Sequence, residues 1–144
     1  MKPESKFWNS IKENMPGVFF TRLESWASPG VPDVYGCKDG IMFWLELKTS
    51  TKVNKAKLSA FQKSWHFSHA RQGGRSFIML LSLEESLSCI FPSSIAVSRA
   101  ALDSSIASFT HPVPGNSGSW MRAQRYLLHS PLPPSPQKPN LSSK

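Results

Sequence analysis

Residues 41–48, "IMFWLELK", limit the fold more than any other stretch of the chain. Ile41 to Leu45 are apolar without a break, and Leu47 adds another apolar side chain. A strand with so little polar surface belongs in the middle of a sheet, covered on both faces. Side chains alternate along a strand, so Trp44, Glu46 and Lys48 share one face and Phe43, Leu45 and Leu47 the other. An acid and a base therefore emerge side by side where the apolar run stops.

The flanking segments supply the covering layers. Pro3 to about Asn14 reads as a helix: proline suits a first helical turn, and Phe7, Trp8, Ile11 and Met15 fall on one face. Pro16-Gly17 stops it. Residues 18–26, "VFFTRLESW", read as a strand, and Val34 to Gly36 as a short one entered through Pro29 and Pro32. Lys38-Asp39-Gly40 is a hairpin turn into the central strand. After a basic loop, 49–57, a helix runs from Lys57 or Ser59 to Gln72, with Leu58, Phe61 and Trp65 as its buried stripe. Gly73-Gly74 supplies a left-handed cap. "SFIMLLSL" is the next strand, and residues 94–109 read as a further helix. "WMRAQRYLL" is either a short amphipathic helix or irregular. Strands interleaved with helices make an α/β layered domain.

Proline content divides the chain near residue 90, with four prolines before it and eight after. This gives an expected core of 1–90, a partly helical extension of 91–128, and a Pro/Ser-rich, disordered tail of 129–144. At 144 residues there is room for one domain with a real core. Cys37 and Cys89 form no CxxC pair, which excludes a cysteine-rich zinc module and fits a reducing cytoplasm. The N-terminus has no apolar segment of a secretory signal, and no apolar run approaches the ~20 residues of a membrane span. No GxGxxG, Walker A or GxSxG motif is present, so nucleotide-cofactor, ATPase and serine-hydrolase chemistry have no sequence support.

A net charge of +8 favours a polyanionic partner, because each neutralised phosphate releases counterions. The distribution says more than the sum. Between Glu46 and Glu84 there is no acid, while Lys48, Lys52, Lys55, Lys57, Lys63, Arg71 and Arg75 all fall in that span. Solvated helix faces usually mix signs, so a one-sign stretch reads as a phosphate track. Lys52, Lys55, Lys57, Lys63 and Arg71 are the candidate DNA contacts. His66 and His69 lack a third metal ligand and read as DNA- or solvent-facing.

"GVPDVYG", 30–36, precedes the central strand. If the hairpin pairs through Lys38-Asp39-Gly40, Asp33 comes near Glu46. Taken singly, Asp33 is an ordinary turn residue and Glu46–Lys48 an ordinary strand-end ion pair. Taken together, two converging carboxylates need a cation, and Mg²⁺ is held by one or two carboxylates plus substrate oxygens. Lys48 could then orient a water or neutralise charge on phosphate. Gln62 has a plain explanation of its own, as the N3 partner of Ser59 in a capping box.

The combination "GVPDVYG…FWLELKT" resembles the PD-(D/E)xK nuclease signature. Its continuation, "KLSAFQKSWHFSHARQGGRSFIML", is similar to the VRR-NUC family, over about Arg22 to Leu83. The resemblance implies a restriction-endonuclease-like α/β fold, a central mixed sheet flanked by helices, and a DNA endonuclease using Mg²⁺ or Mn²⁺. It implies metal binding by Asp33, Glu46 and the Leu47 carbonyl, catalysis assisted by Lys48, and site support from Gln62. It matches Glu24 to an upstream acid, with Glu13 as the alternative. It also implies a homodimer acting on four-way or branched DNA, with no membrane partner. A sequence-specific restriction or homing endonuclease, and a non-catalytic nucleic-acid-binding module, are the competing functions.

Overall fold

The computed structural model describes residues 1–23 and 28–136. In chain order the elements are α1 (Pro3–Asn14), β1 (Phe19–Arg22), β2 (Val34–Lys38), β3 (Ile41–Ser50), α2 (Ala60–Arg71), β4 (Ser76–Ser82), β5 (Leu87–Pro92), α3 (Ser93–Ala96), β6 (Phe109–Pro112) and α4 (Ser117–His129). The six strands form one sheet in sequence order. β3 and β4 are parallel, joined through α2, and the other neighbours are antiparallel. The mixed sheet flanked by helices is the architecture expected from the sequence. Among the described residues no helix is long and apolar enough to cross a membrane.

β3 is central, as its apolar run requires. Phe43, Leu45 and Leu47 pack with Phe77 and Met79 of β4 against α1 and α4. On the opposite face, Ile78 and Leu80 join Cys89, Phe91 and Ala96 under the segment carrying Val53, Ala56 and Leu58. The β2–β3 turn is held by Asp39 and Gly40, at φ 53° and 78°. Two successive left-handed residues give the twist that a two-residue hairpin needs. Register then follows: Val34 faces Leu45 and Lys38 faces Ile41.

Three expectations change. The helix expected at 94–109 is replaced by the short α3, a single turn at Ser104–Ile106 and strand β6. Asp103 accepts a hydrogen bond from the Ser105 N–H, capping that turn and breaking the helix, and β6 pairs with β5 across the interruption. Residues 91–128 are also no appendage, because Trp120, Ala123, Leu127 and Leu128 lie in the same core as Phe7, Leu45 and Met79. Finally, the stripe expected on α2 is turned. Phe61 is 66% exposed, Trp65 is only half-buried, and His66 is the fully buried residue of the helix.

His66 finds its partner in Ser93, Nδ1 to Oγ 2.6 Å, and Ser93 in turn contacts Ser76 Oγ at 2.6 Å. A polar helix face is accepted here because the surface beneath is itself polar. Burial drives both His66, to about 3, and His111, to about 4. Each imidazole is therefore neutral when folded and gains a proton more readily when unfolded. Stability consequently rises with pH between about 4 and 6.5, with a limiting slope of about 1.4 kcal/mol per pH unit per imidazole. His111 stacks edge-on against Trp120, and neither of its nitrogens has a hydrogen-bond partner among the described residues. We expect His111→Phe to flatten the pH dependence of the denaturation midpoint over that window; an unchanged slope would show that His111 does not contribute to it.

Candidate active site

Asp33 sits just before β2, where that strand departs from β3. Its Oδ2 accepts a hydrogen bond from the Leu47 N–H at 2.8 Å, and its carbonyl accepts one from the Leu23 N–H at 2.7 Å. The side chain thus takes the place of a ladder partner at the strand end, which fixes the carboxylate beside Glu46. Gly30 holds this loop against α2. It adopts φ 87°, and any Cβ there would run into the Phe61 carbonyl. Only glycine satisfies both the left-handed backbone and the close approach.

Glu46 is 3% exposed. Its Oε2 accepts a hydrogen bond from Gln62 Nε2 at 3.1 Å, while Oε1 is buried with no partner among the described residues. Burial first, then the charge of Asp33, pushes the Glu46 carboxyl up to about 9, against the opposing pull of Lys48. Lys48 Nζ donates to Gln62 Oε1 at 3.0 Å. The same oxygen accepts the Ser59 N–H at 2.9 Å, and Ser59 Oγ accepts the Gln62 N–H at 3.1 Å. Gln62 therefore closes the helix cap and bridges the acid to the base at once. The two explanations open at the sequence level are one arrangement.

Of the upstream acids, Glu24 falls outside the described residues. Glu13 is exposed near the end of α1 and is not among the groups acting on Glu46. The acid of α1 that does act is Glu4, whose charge adds to the upward push on Glu46 and which pairs with Arg22 at 3.5 Å. Sequence reasoning missed it. Its one signal is its place on the helix face one turn before Phe7 and Trp8.

The expected phosphate track divides. Lys55 and Lys57 are exposed in the loop leading to α2, and Lys63 follows Gln62 directly. Lys52 instead approaches Glu84 at 3.9 Å, an acid that is distant in sequence. Arg71 lies in the last turn of α2, roughly 13 Å along the helix from Gln62, and donates to the Pro136 carbonyl at 3.3 Å. Arg75 is structural. Its guanidinium donates to the Leu127 and Ser130 carbonyls at 3.0 and 2.8 Å, capping the end of α4. His66 is buried and so not free for DNA, and His69 is partly buried, stacked on Trp65 at 4.6 Å.

A divalent ion fits the donor set. Among the described residues no three His, Cys, Asp or Glu side chains gather into a complete cage. Two carboxylates, one with a buried oxygen lacking any partner, are what an oxygen-seeking ion needs when substrate supplies the remaining ligands. An ion there would also remove the repulsion that raises Glu46. We expect Glu46→Gln to raise the melting temperature of the metal-free protein at neutral pH, since it removes an acid that burial forces to take up a proton on folding and keeps a side chain that bonds Gln62. Mg²⁺ should stabilise the wild type and leave the variant unmoved in a thermal melt; equal shifts in both would place the ion elsewhere.

Comparison with protein-family models and with curated protein sequences finds no match. Among solved structures, the chain is similar to Hjc of Archaeoglobus fulgidus, a Holliday junction resolvase from an archaeal hyperthermophile. The TM-score is 0.57 at 16% sequence identity, covering 76% of this chain and 95% of that one. At that identity the likeness carries the fold alone: an α/β domain built on a six-stranded mixed sheet flanked by helices.

Proposed function

We propose that the protein is a metal-dependent DNA endonuclease of the VRR-NUC type, selective for four-way or branched DNA. The observation that carries this is the cluster of Asp33, Glu46 and Lys48 about Gln62, at the end of a buried strand, with Lys55 and Lys57 in the loop into α2 and Lys63 next to Gln62 in sequence. The fold likeness to a junction resolvase supports the choice of substrate. Asp33 and Glu46 would hold Mg²⁺ or Mn²⁺, with the Leu47 carbonyl as a further ligand. When bound, the ion supplies Lewis-acid stabilisation of charge on the phosphate.

The side chains do the rest. Lys48, held by Gln62, presents its ammonium to the phosphate and orients the attacking water. Hydrolysis adds that water across one P–O bond, its hydroxyl to phosphorus and its proton to the leaving oxygen. Lys55, Lys57 and Lys63 fix the backbone of the DNA without reading its bases. Each chain holds one such cluster, and a junction must be cut on two strands, so paired cleavage calls for a homodimer.

A cleavage panel tests the proposal. With Mg²⁺ or Mn²⁺, the wild type should cut a four-way junction in preference to flap, single strand and linear duplex. Asp33→Asn and Lys48→Ala should each lower the rate at least about 10²-fold with folding and most DNA binding retained in a gel-shift assay. Wild-type cutting by both variants would remove the site assignment. Cutting of linear duplex at a fixed sequence would make it a restriction or homing enzyme. Binding without cleavage of any DNA would leave a binding module.

A further inference from the structure

Phe61 has no structural reason to be a phenylalanine. Its side chain is 66% exposed on the first turn of α2, where the sequence pattern places a core residue. Among the described residues it belongs to neither apolar cluster and pairs with no other ring. Isolated exposed apolar side chains are ordinary, but the position of this one is not. Its neighbour in sequence is Gln62, which holds Glu46 and Lys48. Its own carbonyl is the surface on which Gly30 closes, so the loop bearing Asp33 and the helix bearing Gln62 meet at this residue. The ring therefore stands on a rigid point at the mouth of the candidate site. The exposed Lys57 and the half-buried Lys63 flank it in sequence, in the stretch that carries no acid.

We propose that Phe61 stacks against an unpaired or unstacked nucleobase next to the phosphate to be cut. This rests on the nuclease reading and deepens it by naming what distinguishes branched from linear DNA. Every base has a π-face, so an exposed ring in a stretch of basic sequence takes a base without regard to its identity. In a linear duplex the bases are stacked on one another and the ring finds none. At a branch point bases unstack at little cost, and insertion of an apolar side chain is the known means of exploiting this. Lys57 and Lys63, on either side of Phe61 in sequence, complement the phosphates on either side of such a base, and no cation is needed to dock a second copy of this chain.

The test uses full-length protein and DNA carrying 2-aminopurine, in EDTA so that nothing is cut. The probe is placed at the branch of a four-way junction and at the matching position of a linear duplex. The wild type should change the junction probe's emission at least about twofold and leave the duplex probe unchanged. Phe61→Ala should lose the change and bind the junction about tenfold more weakly, with its duplex affinity preserved. Phe61→Trp should restore both, and Met121→Ala, another exposed apolar side chain, should behave as wild type. A Phe61→Ala protein that binds junction and perturbs the probe like wild type overturns the inference while leaving the nuclease proposal standing. So does a Phe61→Ala protein that changes from dimer to monomer in sedimentation, which would assign the ring to a second copy. Failure of the wild type to bind any DNA removes both.

Discussion

The side-chain amide of Gln62 joins the first turn of α2 to the end of β3, and the candidate site depends on that join. Its oxygen receives Lys48 and the Ser59 N–H, and its nitrogen donates to Glu46. A partly satisfied buried polar network is costly, and this one is complete except for one oxygen of Glu46. Moving the helix would leave an acid and a base unpaired together. The Gly30 contact on the Phe61 carbonyl locks the third component, the Asp33 loop, to the same turn. The site is thus assembled from two strand ends and a helix start, none of which can shift alone.

Features carried by local signals were legible in the sequence. The apolar run of β3, the Asp39-Gly40 turn, the Ser59 cap and the glycine after α2 are each read within a few residues, and each is observed. The proximity of Asp33 and Glu46 followed from the same turn, because hairpin register fixes which residues face each other. Strands β5 and β6 were not legible. Their pairing spans an irregular segment, and "LSCIFP" is short enough to suit several structures. His66 was misjudged for a related reason: its partners, Ser93 and Ser76, lie well beyond its helix.

Charge shows the limit of linear reading most clearly. A one-sign run from Lys48 to Arg75 looks like a single surface when written out. Folding assigns its members to different work. Lys52 meets Glu84, Arg71 is carried to the far end of α2, and Arg75 caps α4. What remains without such a partner among the described residues is a smaller set, Lys55, Lys57 and Lys63, around the start of α2. Arg75 could not have been separated from them by composition, since its partners are carbonyls more than fifty residues away.

That last contact bears on how the chain matures. α4 supplies Trp120, Ala123, Leu127 and Leu128 to the core beneath β3, and Arg75 fastens its end. During synthesis the strands that carry Asp33, Glu46 and Lys48 leave the ribosome long before this helix does. Until it arrives, one face of the sheet is open to water, and non-local closure of this kind comes late in folding. Translation order therefore leaves the core beneath β3 incomplete until almost all of the described chain has been made.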